Sequence, residues 1–125
     1  MNKACVILLN NKDFASFSKL HGNNKTTLCD VREAEWRQIN PDLLVFRISA
    51  DRFLRNMVRA ITGTMLKIGT HKLPVNALKE IIAKKDRGAA GTSVNGKGLF
   101  LTDIRYKNIT IPENKFHLLN ESFFF

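Results

Sequence analysis

The residues of this chain best suited to chemistry are three arginines in the stretch "DRFLRNMVRAITGTMLKIG", Asp51 to Gly69. At about 100° per residue, Leu54, Met57, Val58, Ile61, Met65 and Ile68 fall on one apolar stripe, the pattern of a helix packed on a core, and Arg52, Arg55 and Arg59 fall together beside it. A guanidinium is always charged and offers a planar fork of donors that matches a carboxylate or a phosphate. Arg55 and Arg59 stand four apart, so in an isolated helix they repel by roughly 0.2–0.5 kcal/mol unless an anion answers them. No Asp or Glu occurs between Arg52 and Lys79. The segment from Arg52 to Arg87 holds nine Lys or Arg against Glu80 and Asp86, a net +7 out of +9 for the whole chain. Charge this localised points to a surface for a polyanion, RNA or DNA ahead of an anionic membrane surface or an acidic protein. The alternative is a solvated basic edge.

Other polar groups form no catalytic constellation. His21, His71 and His117 are scattered, and Asp103 stands alone, alternating with Leu99 and Leu101 along a strand-like run. Cys5 and Cys29 lie far apart with no CxxC and no neighbouring His, so neither a metal site nor a disulfide is signalled and both are expected as free thiols. Gly91, Gly96 and Lys97 satisfy G-x-x-x-x-G-K, but the next residue is Gly98 where a phosphate-binding loop needs Ser or Thr for magnesium. That loop also runs from a helix into a strand, the reverse of what would aim helix amides at a phosphate. Its glycines fit a tight turn lying close to another backbone.

The elements that must position these residues follow from pattern. "NKACVILL" reads as a short helix ended by Asn10 and Asn11, followed by a polar loop. Two β-type runs, Thr26 to Arg37 and Leu43 to Ala50, are joined by "QINPD", and Leu44, Phe46, Ile48 and Ala50 give the second run one apolar face. The helix expected over Asp51 to Gly69 comes next. A further helix has Pro74 near its first turn and Leu78, Ile81 and Ile82 directed inward. The loop "DRGAAGTSVNGKG" then leads into a last strand, "LFLTDIRY". The order α-β-β-α-α-β predicts an α+β fold, a small antiparallel sheet with helices on one face. The 125 residues, 44% hydrophobic, suit one domain, and no run approaches the roughly 20 apolar residues of a membrane span. A cytoplasmic location is expected. The closing Phe123, Phe124 and Phe125 are expected to fold back on their own domain in preference to meeting a partner.

"RFLRNMVRAITGTMLKIG", followed at the matching distance by "KDRGAAGTSVNGKGLFLTDIRY", resembles the C-terminal half of the tRNA pseudouridine synthase A family; "DFASFSK" and "KTTLCDVREAEW" resemble the segments before them. The resemblance covers about Met1 to Tyr106, leaving 107–125 as an extension of unknown role. Asn95 stands where relatives usually have proline. The resemblance implies a cofactor-free isomerisation of uridine to pseudouridine in the anticodon stem-loop of tRNA, with the base detached, turned and rejoined through carbon. It further implies that Arg59, in the "MVR" segment, pairs across the cleft with the family's catalytic Asp. Arg52 and Arg55 would meet phosphates, Leu99 and Phe100 would line the uracil pocket, and Lys85 and Arg87 would touch the RNA backbone. The family's Asp lies in an Arg-x-Asp-x-Gly type motif of its N-terminal half, which nothing in these 125 residues resembles. The implied chain is therefore half an enzyme, inactive alone, with Met1 either internal or introduced. Its implied partners are tRNA, the N-terminal half and, in a homodimer, a second subunit.

Two other classes stay open on the residues alone. One is a stand-alone basic RNA-binding module without catalysis. The other is a small-ligand or regulatory domain, which the one-sided charge disfavours.

Overall fold

A computed structural model of the chain describes residues 1–18, 26–106 and 117–124, the two C-terminal strands through their backbone pairing. Helix α1 (Asn2–Leu9) is followed by a 3-10 turn (Ala15–Phe17) and strands β1 (Val31–Asn40) and β2 (Leu43–Ala50). Helices α2 (Met57–Gly69) and α3 (Ala77–Lys84) come next, then strands β3 (Leu99–Tyr106) and β4 (His117–Phe124). The four strands form one antiparallel sheet in the order β1-β2-β4-β3. This is the expected α+β arrangement and element order, with one strand more: β4, drawn from the extension beyond Tyr106, inserts between β2 and β3.

The N-terminal helix ends where its asparagines predict. Asn10 is the C-cap, its N–H shared between the Val6 and Ile7 carbonyls, and the side chain of Asn11 adds a second donor to the Ile7 carbonyl at 2.7 Å, reinforcing the helix end. At the other end, Asn2 docks the helix on the sheet edge. Its Nδ2 donates to the Trp36 carbonyl at 3.1 Å and its Oδ1 accepts from the Trp36 N–H at 2.7 Å, so one amide side chain covers an exposed peptide of edge strand β1. Trp36 itself is buried and stacks on Phe46 of β2, ring centroids 4.9 Å apart. Its Cα partner is Phe46, and Phe46 in turn lies opposite Phe123 of β4.

The predicted second strand matches β2 residue for residue, and Phe46, Ile48 and Ala50 are fully buried on its apolar face. The turn tightens to Pro41 and Asp42, where Asn40 Oδ1 accepts from the Asp42 N–H. The first strand begins at Val31, not Thr26. Residues 26–30 instead run beside the segment after α1, with Cys29 N–H on the Lys12 carbonyl, Phe14 N–H on the Thr27 carbonyl and a single bridge between Asp13 and Leu28. This pairing sends Phe14 and Phe17 into the core. Leu78, Ile81 and Ile82 of α3 are buried as expected, and Pro74 stands just before its start, its carbonyl accepting from Ala77.

The helix expected from Asp51 begins only at Met57. Asp51 is claimed by a distant partner: its carboxylate accepts from the Asp30 N–H at 2.8 Å and its own N–H donates to the Asp30 carbonyl. Arg52 is likewise drawn away, Nη1 donating to the Thr26 carbonyl. Asn56 then takes the left-handed conformation, φ 68°, which stops any helix from continuing backward through it. The apolar positions of the stripe, Leu54, Met57, Val58, Ile61, Met65 and Ile68, are nonetheless all buried.

Cys5 and Cys29 are buried free thiols, and loss of hydration pushes each up to about 11. Among the described residues no helix is long and apolar enough to cross a membrane.

Candidate functional site

Because α2 starts at Met57, the three arginines do not share one helical edge. Arg59 alone lies on the helix, in its first turn; Arg52 and Arg55 belong to the irregular segment before it. Arg55 is exposed, with no partner among the described residues. Arg55 and Arg59 are therefore not neighbours at helical spacing, as the continuous helix would have made them.

The face of α2 that carries Arg59 is built of small residues, and the glycine loop lies along it as a strap. A Cβ at Gly63 would collide with the Thr92 carbonyl, and one at Gly91 would stand 3.1 Å from Thr64 Oγ1 and 3.2 Å from Thr64 Cα. Glycine is needed at both places because helix and loop backbones touch there, which is the close approach expected of Gly91. Hydrogen bonds fix the strap's position. Gly91 N–H donates to Thr64 Oγ1 at 2.9 Å, Val94 N–H to the Arg59 carbonyl at 3.2 Å, and Asn56 Nδ2 to Ser93 Oγ at 2.6 Å. Asn95 closes the far end by accepting from the Lys97 N–H.

Arg59 sits inside this clasp. Its Nε donates to the Val94 carbonyl at 2.8 Å, and a Cβ at Gly96 would lie 3.5 Å from the same nitrogen. The side chain is half-buried, and among the described residues no carboxylate stands within ion-pair distance of it. One edge of the guanidinium is thus anchored while its two terminal nitrogens keep their donors. A planar cation held this way is suited to a two-point contact with a carboxylate.

The other basic candidates are engaged inside the domain. Arg87 turns onto the strap: Nη1 donates to the Gly91 carbonyl at 3.0 Å and Nη2 to Ser93 Oγ at 2.9 Å. Lys85 ion-pairs with Asp13 at 3.4 Å. Asp86 bridges neither of them; its carboxylate accepts from the Gly88 N–H and starts the 3-10 turn Arg87–Ala89. Leu99 and Phe100 open β3 directly after the 3-10 turn Gly96–Gly98, with Leu99 in register with Phe123. Their side chains lie outside the described residues, as do His21 and Phe125. Sequence reasoning missed Asn56, Thr64 and Ser93, whose contacts span 27 to 37 positions. Only the glycines opposite them hinted at the close packing.

A single sheet with helices, a basic segment and an arginine clasped by a glycine loop is the context in which the comparisons with known proteins fall. The model of a family described as tRNA pseudouridine synthase matches residues 4–107. The chain is 50% identical over 112 residues to a tRNA pseudouridine synthase A of Parabacteroides distasonis, covering 90% of this chain and 44% of that protein. It is 46% identical over 123 residues to the enzyme of the same name from Bacteroides thetaiotaomicron, covering 96% of this chain and 46% of the relative. A more distant relative, tRNA pseudouridine synthase A 1 of Bacillus cereus, is 36% identical over 108 residues, 86% of this chain and 43% of its own. The chain belongs to the tRNA pseudouridine synthase family. It spans somewhat less than half the length of the curated relatives it matches.

Proposed function

We propose that this chain is the C-terminal half of a tRNA pseudouridine synthase that isomerises uridine in the anticodon stem-loop, and that Arg59 is the residue it contributes to the reacting centre. The observation that carries the reading is the clasp on Arg59: Nε anchored to the Val94 carbonyl, terminal nitrogens unmatched by any described carboxylate. In this reading the missing anion is the catalytic Asp of the N-terminal half. An adjacent fixed cation favours the ionised carboxylate and, through a forked contact, sets its direction. No cofactor enters the reaction. The sugar–base bond breaks, the uracil turns, and a bond forms from its carbon, so the demand on the protein is orientation and charge, which is what a clamped guanidinium supplies.

Arg55, exposed at the mouth, meets phosphate, with Arg52 beside it in sequence. Leu99 and Phe100 line the uracil pocket. Lys85 reaches the RNA backbone only by leaving Asp13, and Arg87 supports the strap, so neither leads the phosphate contacts. The enzyme is a cytoplasmic homodimer that binds tRNA across both subunits.

The test joins this chain to the N-terminal portion of the Parabacteroides distasonis relative, in place of that protein's matching segment, and measures pseudouridine formation on unmodified tRNA. The joined protein modifies tRNA, and this chain alone gives no turnover above a blank. Turnover by the chain alone, or undiminished activity of the joined protein carrying Arg59→Ala, overturns the proposal.

A further inference from the structure

The strap does more than touch Arg59; it is tied to the helix start that fixes the same residue's backbone. Ser93 Oγ is the knot. It accepts from Asn56 Nδ2 at 2.6 Å and from Arg87 Nη2 at 2.9 Å. Asn56 sets where α2 begins: its left-handed φ of 68° ends the irregular segment, and its carbonyl accepts from the Ala60 N–H in the first helical turn. Arg59 lies in that turn. On the other side of the knot, Ser93 precedes Val94, whose carbonyl holds Arg59 Nε and whose N–H donates to the Arg59 carbonyl. The hydroxyl of Ser93 therefore couples the two supports of Arg59, the peptide that starts its helix and the carbonyl that orients its guanidinium.

Arg87 steadies this knot from the loop side. With Nη1 on the Gly91 carbonyl and Nη2 on Ser93 Oγ it spans the bend between the two residues, fixing the strap's entry onto α2. Charge-assisted donors of this kind are stronger than neutral ones. Without the hydroxyl, Arg87 Nη2 and Asn56 Nδ2 both lose their acceptor, and the Val94 carbonyl depends on the remaining Val94–Arg59 contacts alone.

We infer that Ser93, with Asn56 and Arg87 as its donors, is a positioning residue for Arg59, setting the direction of the guanidinium without touching substrate. The inference rests on the catalytic reading of Arg59 for its effect on rate, but the brace itself is a physical statement that is tested separately.

Two readouts on the joined protein keep these apart. The first is the exchange protection of the Arg59 Nε–H by NMR. Ser93→Ala lowers it at least about tenfold, and Ser93→Thr, which keeps the hydroxyl, restores it. Unchanged protection in Ser93→Ala overturns the inference whatever the activity. The second is the single-turnover rate at saturating tRNA. Ser93→Ala slows it about 10- to 100-fold, as loss of orientation does, with tRNA affinity unchanged. In an Arg59→Lys background the same substitution adds little, because its action runs through Arg59. A full, additive loss in that background shows a general structural role and overturns the inference. If Nε–H protection falls while Arg59→Lys barely changes the rate, the brace stands and the catalytic reading of Arg59 is what fails.

Discussion

Arg59 and Val94 bond each other twice: the arginine Nε donates to the Val94 carbonyl at 2.8 Å, and the Val94 N–H donates to the Arg59 carbonyl at 3.2 Å. One loop residue thus binds both the main chain and the side chain of one residue in the first turn of α2. The contact depends on the close approach of loop and helix, where the helix face carries Gly63 and Thr64 and the loop carries Gly91.

Gly63→Ala should cost stability even though alanine is the better helix former by about 1 kcal/mol. The new methyl meets the Thr92 carbonyl, a backbone atom of the strap. Overpacking typically costs about 1–3 kcal/mol, and against a backbone atom the upper end applies, so after the propensity gain a net loss of up to about 2 kcal/mol is expected in urea unfolding. Gly69→Ala is the control. Its methyl meets only the flexible thioether of Met1, so that variant should be as stable as the parent or slightly more so. Equal behaviour of the two variants contradicts the strap's contact with α2.

The segment before β1 is held by a carboxylate whose strength depends on pH. Thr27 Oγ1 donates to Asp13 Oδ1 at 2.6 Å, and with the Ala15 N–H and Lys85 this holds the Asp13 carboxyl below its usual range against the opposing loss of hydration. The depressed folded value means stability is fully present above the unfolded pKa of about 3.9 and is lost as pH falls through the folded one. Thr27→Val should lower stability at pH 7 by about 1.5 kcal/mol, the low end for a hydrogen bond to a charged group. The deficit should shrink below about pH 4. A deficit that persists unchanged in acid implicates the packing of the side chain at this position, and not the bond from Thr27 to Asp13.

Arg55 is the exposed cation of the irregular segment, so its contribution to tRNA affinity should be electrostatic. Arg55→Gln in the joined protein should weaken tRNA binding for all sequences alike and reduce the slope of log affinity against log salt by about one. Arg52→Gln should do less, since Arg52 already donates to the Thr26 carbonyl. An unchanged slope for Arg55→Gln rules it out as a phosphate contact.

Much of this fold was legible because local pattern and tertiary packing agree. α1 with its terminal asparagines, β2 with its alternating face and α3 with its proline all appear where their residues place them. The start of α2 was not legible. An apolar stripe reaching back to Leu54 is real, and Leu54 is buried, but Asp51 and Arg52 are bonded to Asp30 and Thr26, and no helical period encodes partners so far away. β4 escaped notice because "HLLNESFF" has no clean alternation and pairs only after the chain returns between β2 and β3. At the site, the "MVR" resemblance singled out Arg59. Its supports, Ser93 and Asn56, are polar residues of common type, 37 positions apart, that gain meaning only when the fold brings them together.

The most direct test compares Arg59→Lys with Arg55→Lys in the joined protein, by single-turnover rate and by tRNA dissociation constant. Lysine keeps the charge but lacks the planar fork and cannot both hold the Val94 carbonyl and make a two-point contact beyond it. Arg59→Lys should leave tRNA affinity nearly intact and slow the chemical step by about 100-fold or more, as loss of orientation can. Arg55→Lys should leave the chemical step unchanged and alter affinity slightly, since a phosphate accepts either cation. Similar mild losses at both positions would contradict a catalytic role for Arg59, reducing it to one more basic residue on the tRNA-binding surface.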